Sequence, residues 1–343
     1  MASRVDLAKL AGLWALATGF GCQGPADTIA ASVGDYDPAH PPTMRAISGS
    51  LAAVDPSLFH WKDTYYVFAT GTGGSGLSLR SSKDLTTFQD EPPVFKTNPA
   101  WVDKSITGVK ELWSPHVVAF GGTIHLYYAA STFSSNKSCI GHATTTDLSP
   151  GTPFVDQGSV ICSNLTSVVD HFNAIDPAVI LDGPDQTPWL VFGSYEEGIK
   201  LIALDATGAR ADTQMFSLAG RPDNGAIQAP FLYRWQDYYY LFVSFDACCN
   251  NATYPHTLRV GRSKDLKGPY IDREGKRMLD GGGSLMLASD SHFSAPGSNM
   301  IFEENHQRWN LYTAYNVDKA GAATLRIAPL YFDNDRWPVP VGP

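Results

Sequence analysis

Val54-Asp55-Pro56-Ser57-Leu58-Phe59-His60-Trp61, followed after two polar residues by Thr64-Tyr65-Tyr66-Val67-Phe68, is the stretch that decides the fold. Proline cannot donate to a strand ladder and is tolerated where a strand begins; the β-branched and aromatic run behind it reads as the partner strand of a hairpin. The pattern returns four times. A small or polar residue precedes the proline in Trp113-Ser114-Pro115, Ile175-Asp176-Pro177, Gln228-Ala229-Pro230 and Ala295-Pro296, and the aligned prolines lie 59, 62, 53 and 66 residues apart. Behind them come Ile124-His125-Leu126-Tyr127-Tyr128, Trp189-Leu190-Val191-Phe192, Tyr238-Tyr239-Tyr240-Leu241-Phe242 and Trp309-Asn310-Leu311-Tyr312. A third strand and a polar turn follow, as in Ser82-Lys83-Asp84-Leu85 and Ser263-Lys264-Asp265-Leu266. No long segment keeps a 3.6-residue period, so helix should be scarce. A four-stranded unit of about 50–60 residues repeated five times predicts an all-β, five-bladed β-propeller over residues 46–343. Innermost strands border the central channel of such a ring, so the five openings should converge on one mouth of it.

The segments upstream read differently. Arg4 and Lys9 precede an apolar run, Leu10 to Phe20, that is shorter than the ~20 residues of a membrane-spanning helix. Residues 1–22 therefore read as a signal or lipoprotein leader, with Cys22 a candidate lipid anchor. The chain is expected to be secreted, periplasmic or membrane-anchored. Residues 23–45, rich in Pro, Ala and Asp, read as a linker. Cys139 and Cys162 end two neighbouring strand-like runs and could pair; Cys248-Cys249 reads as a turn feature, since no CxxC or His spacing accompanies it. With 25 Lys+Arg against 34 Asp+Glu the formal charge is −9, and no basic stripe is present to neutralise phosphates, which excludes a nucleic-acid partner. Apolar residues at 43% and charged residues at 17% exclude a disordered or coiled-coil chain. A monomer is expected.

Several motifs in order resemble glycoside hydrolase family 43, most closely its arabinanases. They are Val54-Asp55-Pro56-Ser57, Leu112-Trp113-Ser114-Pro115, Asn173-Ala174-Ile175-Asp176-Pro177, Phe192-Gly193-Ser194, Val260-Gly261-Arg262-Ser263 and Gly281-Gly282-Gly283-Ser284. The resemblance implies three acids facing one another across the channel. Asp55 would be the base that activates water, and Asp176 would orient and tune the acid. The general-acid glutamate aligns with Gln228. Inversion needs base and acid about 6.5–9.5 Å apart, room enough for the water. The implied partner is plant-wall arabinan or an arabino-oligosaccharide.

The chain departs from the family at five places around this channel, one of them Val54, where the family often has histidine before the first Asp-Pro. Gln228 stands at the acid position, where an amide has no proton to deliver to a departing sugar oxygen. Leu-Trp-Ala-Pro-Asp becomes Leu112-Trp113-Ser114-Pro115-His116, and a Phe-Trp stacking element becomes Tyr195-Glu196-Glu197. Ser298 replaces a histidine that helps hold a channel cation in the arabinanases, which argues against a resident calcium or sodium ion, and no cofactor is expected. One engineered substitution does not account for the other four changes, so natural divergence is the better reading. Two functions follow: an inverting hydrolase weakened at Gln228, or a carbohydrate-binding protein that keeps the pocket without the chemistry. A protein-docking propeller is a third. Glu196 or Glu197 could supply a substitute acid, and His116 and His171 are candidate channel donors. Candidate sugar contacts are Trp113, Phe133, Phe172, Asn173, Ser194 and Tyr195, with Trp61 and Trp101 as further flat faces.

Overall fold

Residues 34–74, 76–149, 152–164, 171–247 and 255–343 are described by a computed structural model, and Gly34–Pro343 forms one compact unit. The leader and the pair Cys248-Cys249 lie outside the described residues. The fold is the all-β, five-bladed propeller that the repeats predict. Blades two, three and four are four-stranded antiparallel sheets built in chain order from the channel outward, and blade one adds to four such strands a short parallel one, Ser48–Gly49, at its outer edge. Blade one begins with Ser57–Trp61 and Thr64–Ala69, blade two with Leu112–Phe120 and Thr123–Ala130, blade three with Ala178–Asp182 and Thr187–Phe192. Blade four begins with Ile227–Trp235 and Tyr238–Phe245, and blade five has three strands, Phe293–Glu304, Gln307–Asn316 and Ala322–Pro329. Among the described residues the one α-helix is the short Ala100–Ser105.

The aromatic runs are the second strand of each blade, and their rings supply the apolar surface that blades stack on. Tyr127, Tyr128, Phe192, Tyr240, Phe242 and Tyr312 are fully buried. Burying one such side chain contributes about 1.5–3 kcal/mol. Separate clusters of buried residues fill the seams: blades one and two share one, blades two and three another, blades three to five a third, and blades five and one the last. The recurring polar turn is tied by its own side chains. Ser82 Oγ accepts from the backbone N–H of Leu85, and Asp84 Oδ1 accepts from those of Thr86 and Thr87. Cys139 and Cys162 face each other across the outer strands of blade two and form a disulfide, a bond that persists in oxidising compartments.

At each blade opening one non-glycine residue adopts a left-handed backbone. These are Asp55 (φ 52°), Ser114 (46°), Asp176 (56°), Ala229 (49°) and Ser298 (52°). Such a φ is uncommon for any residue with a Cβ, and the following proline of the first four disfavours it further. A bulge imposes it. In blade two, Trp113 pairs with Ala129 but His116 with Tyr127, so Ser114-Pro115 oppose a single residue. Blade four repeats this with Ala229-Pro230, and blade five with Ser298-Asn299. The fifth opening thus lies three residues beyond the Ala295-Pro296 expected from the sequence. The first strand of blade five bulges twice, and its proline marks the earlier bulge.

Hydroxyls on the second strands hold these strained residues in register between blades. Thr70 Oγ1 accepts the backbone N–H of Ser114, Ser244 Oγ that of Ser298, and Thr313 Oγ1 that of Asp55. Ala129 and Gly193 occupy the matching sites in blades two and three and carry no hydroxyl. The backbone N–H of Ala229 is accepted instead by Asp176 Oδ2 at 3.0 Å.

Candidate active site

The five left-handed residues form a ring, and above it opens a cleft of about 660 Å³. That volume suits a small oligosaccharide segment or another ligand of similar size. Asp55, Asp176 and Gln228, predicted from three separate repeats, all line it. Beneath the ring a cavity of about 40 Å³ reaches down to His116.

Asp55 is half-buried. Its Oδ2 accepts from Thr70 Oγ1 at 2.6 Å and meets Ser114 Oγ at 3.2 Å, while Oδ1 has no hydrogen-bond donor among the described residues. A carboxylate so held on one oxygen can present the other to water. Asp176 is more confined. Its Oδ1 lies 2.7 Å from Ser114 Oγ. Burial first, and then the charge of Asp55, push the Asp176 carboxyl up to about 7, while Ser114, when its hydroxyl donates to this carboxylate, and the Ala229 N–H pull the other way. Gln228 is 8% exposed, and its Nε2 donates to the Asp246 carbonyl at 3.3 Å. That carbonyl also lies 3.1 Å from His256 Nδ1, and Arg221 anchors the Asp246 carboxylate at 2.6 Å.

The cleft walls include Trp113, Phe133, Asn173, Ser194 and Tyr195. Phe133 is 76% exposed, with its ring 4.8 Å from that of Trp113, so the two make an aromatic shelf. Asn173 is fixed on both sides: Ser138 donates to its Oδ1, and its Nδ2 donates to Ser194. Other expected contacts lie elsewhere. Phe172 is buried edge-on against Phe192 in the seam of blades two and three and does not line the cleft, because its ring is worth more as packing there. Trp61 and Trp101 pack in the seam of blades one and two, where their indoles donate to Asp147 and Asp156.

Neither glutamate of the Tyr195-Glu196-Glu197 loop lines the cleft. Glu196 pairs with His171 at 3.1 Å and accepts from Asn136; Glu197 pairs with Lys200 at 3.1 Å. His116 lies on the floor, where burial pushes its imidazole down to about 4. Among the lining residues that no motif marked are Thr70, Glu111, Ser131 and Tyr315. Tyr315 ends the aromatic strand of blade five, and burial followed by the Asp55 charge pushes its phenol up to about 12. Ser298 offers a neutral hydroxyl, and among the described residues no three His, Cys, Asp or Glu side chains gather as a metal-binding group.

The sequence profile of glycosyl hydrolases family 43 matches residues 48–338. An extracellular endo-alpha-(1->5)-L-arabinanase 1 of Bacillus subtilis is 35% identical over 287 residues, covering 83% of this chain and 86% of that protein. The extracellular exo-alpha-(1->5)-L-arabinofuranosidase ArbA of Cellvibrio japonicus is 34% identical over 302 residues, covering 83% and 85%. Among solved structures, the endo-arabinanase of Bacillus licheniformis superimposes with a TM-score of 0.80 at 35% identity, over 86% of this chain and 99% of that one. With the family profile spanning every blade and the repeats converging on one cleft, the chain belongs to glycosyl hydrolases family 43 and is a glycoside hydrolase of the arabinanase-like kind.

Proposed function

We propose that the chain acts on α-1,5-linked arabinan or related pentose oligosaccharides by inversion, and that Gln228 slows it. Asp55 takes a proton from water through its free oxygen, the water attacks the anomeric carbon as the bond to the departing sugar oxygen breaks, Asp176 positions the opposite side, and, with no transferable proton on Gln228, the departing oxygen takes its proton from solvent. The observation that carries this reading is the convergence of Asp55, Asp176 and position 228 on one cleft. Both an endo-acting and an exo-acting relative share similar identity with this chain, so the substrate class is proposed and the mode of cleavage is left to a product profile.

Position 228 is built for a protonated acid. It is buried, and its side chain faces the Asp246 carbonyl, which accepts hydrogen bonds and cannot donate them. A glutamate there would satisfy that carbonyl only while holding its proton, and burial would favour the same state. Glutamine makes the same bond without a transferable proton. General-acid catalysis contributes about 10²–10⁴-fold. The departing alkoxide of a natural sugar needs that help; an acidic phenol leaves without it.

Gln228→Glu is therefore expected to raise hydrolysis of linear arabino-oligosaccharides by about 10²–10⁴-fold. An aryl α-L-arabinofuranoside with an acidic phenol should gain far less. Gln228 also favours the second reading, a binding protein that has lost the chemistry. No gain in the variant, with sugar binding retained, would establish that reading in place of the first. Ordinary family rates from the unaltered chain would refute the proposed weakening.

A further inference from the structure

Three oxygens stand in a row across the ring: Asp176 Oδ1, then Ser114 Oγ at 2.7 Å, then Asp55 Oδ2 at 3.2 Å. They come from blades three, two and one. A serine hydroxyl carries one proton and can donate to one carboxylate only. If both aspartates were ionised, one of these contacts would set lone pair against lone pair. A single added proton removes the conflict. We propose that Ser114 joins Asp55 and Asp176 into one proton-sharing pair, with the proton on Asp176 Oδ1 donated to Ser114 Oγ, and the serine proton donated to Asp55 Oδ2.

The direction of the chain follows from its neighbours. Thr70 Oγ1 accepts the N–H of Ser114 and already points its own proton at Asp55 Oδ2. Asp55 Oδ2 is thus an acceptor twice over and is the wrong oxygen to carry a proton. Asp176 Oδ1 has no competing donor among the described residues, and Oδ2 keeps its bond to the Ala229 N–H. Nearby groups from the other blades do not alter the balance. Burial lowers His116 beneath the ring and His256 beside blade four, keeping both neutral, while the Tyr315 phenol on blade five stays protonated. Glu111 lies at the cleft rim, where it accepts from the Gly74 N–H. The site then carries one negative charge on its paired aspartates at neutral pH, placed on Asp55, and holds a proton in reserve on the opposite wall.

This proposal deepens the reading of the same cleft, but its test does not require turnover. The infrared C=O stretch of a protonated carboxyl is followed against pH in the full chain and in two variants. The parent should show a band that persists toward neutral pH and is missing in Asp176→Asn. Ser114→Ala should lose that band at a pH lower by about one unit, the worth of one hydrogen bond. Ser114→Ala keeps the backbone, since Ala229 holds the same left-handed conformation at the equivalent opening. An unchanged or raised midpoint in Ser114→Ala overturns the proposal. So does a parent without the band above pH about 5. Failure of hydrolysis on arabinan leaves these spectra unaffected, so the two readings fail separately.

Discussion

Asp176 is where the site works against the stability of the fold. Its carboxyl is raised well above the ordinary 3.8 by burial and by Asp55. The folded chain therefore keeps a proton that the unfolded chain releases near pH 4. Stability falls as pH rises from about 4 to about 7 and is level beyond. Asp176→Asn removes the buried charge and the repulsion, and an amide can still accept from the Ala229 N–H while donating to Ser114. The variant should be more stable than the parent at pH 8 by on the order of 1–2 kcal/mol, with the difference closing by pH 4. Thermal unfolding at the two pH values checks it, and an equal gain at both would sink the electrostatic account. Asp55, Asp176 and Gln228 were legible because each sits in a motif beside a proline. Thr70 and Tyr315 were not, since a lone threonine or tyrosine at a strand end has no pattern of its own. Ser114 was visible only as a departure from the family. Its bridging role depends on three blades meeting, which no local spacing encodes.

Blade two shows the same limit for a whole element. Its strands were readable from their aromatic runs and His116 stood out as a candidate donor, yet nothing showed that three histidines would be buried together. His116, His125 and His142 are all buried in this one sheet. His125 Nδ1 lies 2.9 Å from His142 Nε2, and the Phe120 ring stacks on His125 at 3.7 Å. Burial lowers all three below the ordinary 6.5, with His116 and His142 at about 4. The sign is opposite to that of Asp176. From about pH 6.5 downward the unfolded chain takes up protons that the folded blade refuses, so stability is lost as pH falls toward 4. Blade two should therefore loosen first in acid. Backbone hydrogen-exchange protection factors in Thr123–Ala130 and Cys139–Thr145 should drop between pH 6.5 and 4.5, ahead of those in Tyr238–Phe245. A uniform loss across the blades would contradict this. Blade five teaches the complementary lesson. Its aromatic strand was placed correctly, but its opening was misphased because two bulges share one strand and the proline sits in the one that does not face the ring.

For the molecule as a whole, the number of blades was legible and the closure of the ring was not. Blade five has three strands of its own, and the outer edge of Ala322–Pro329 would be open to water. The segment ahead of blade one covers it. The Arg45 N–H donates to the Ile327 carbonyl, and the Leu325 N–H donates to that of Leu51. Ser48–Gly49 then runs parallel to the outermost strand of blade one. Ile47 and Leu51 pack with Leu58, Val67, Leu311 and Leu325 in the cluster shared by blades five and one. Part of the stretch expected as a linker, residues 35–45, is likewise bonded to blade five and the hairpin behind it. None of these residues belongs to a repeat, and their backbone hydrogen-bond partners in and behind blade five lie more than 270 positions away, so only the folded chain reveals them. Closure also bears on the chemistry, because Asp55 follows directly and its backbone N–H is held by Thr313 of blade five. A chain starting at Ala52 keeps every cleft residue but lacks this clasp. Its unfolding midpoint should fall by on the order of 10 °C, with weakened binding of arabino-oligosaccharides. Calorimetry with a binding titration provides the check, and an unchanged midpoint would mean that the blades close the ring without the clasp.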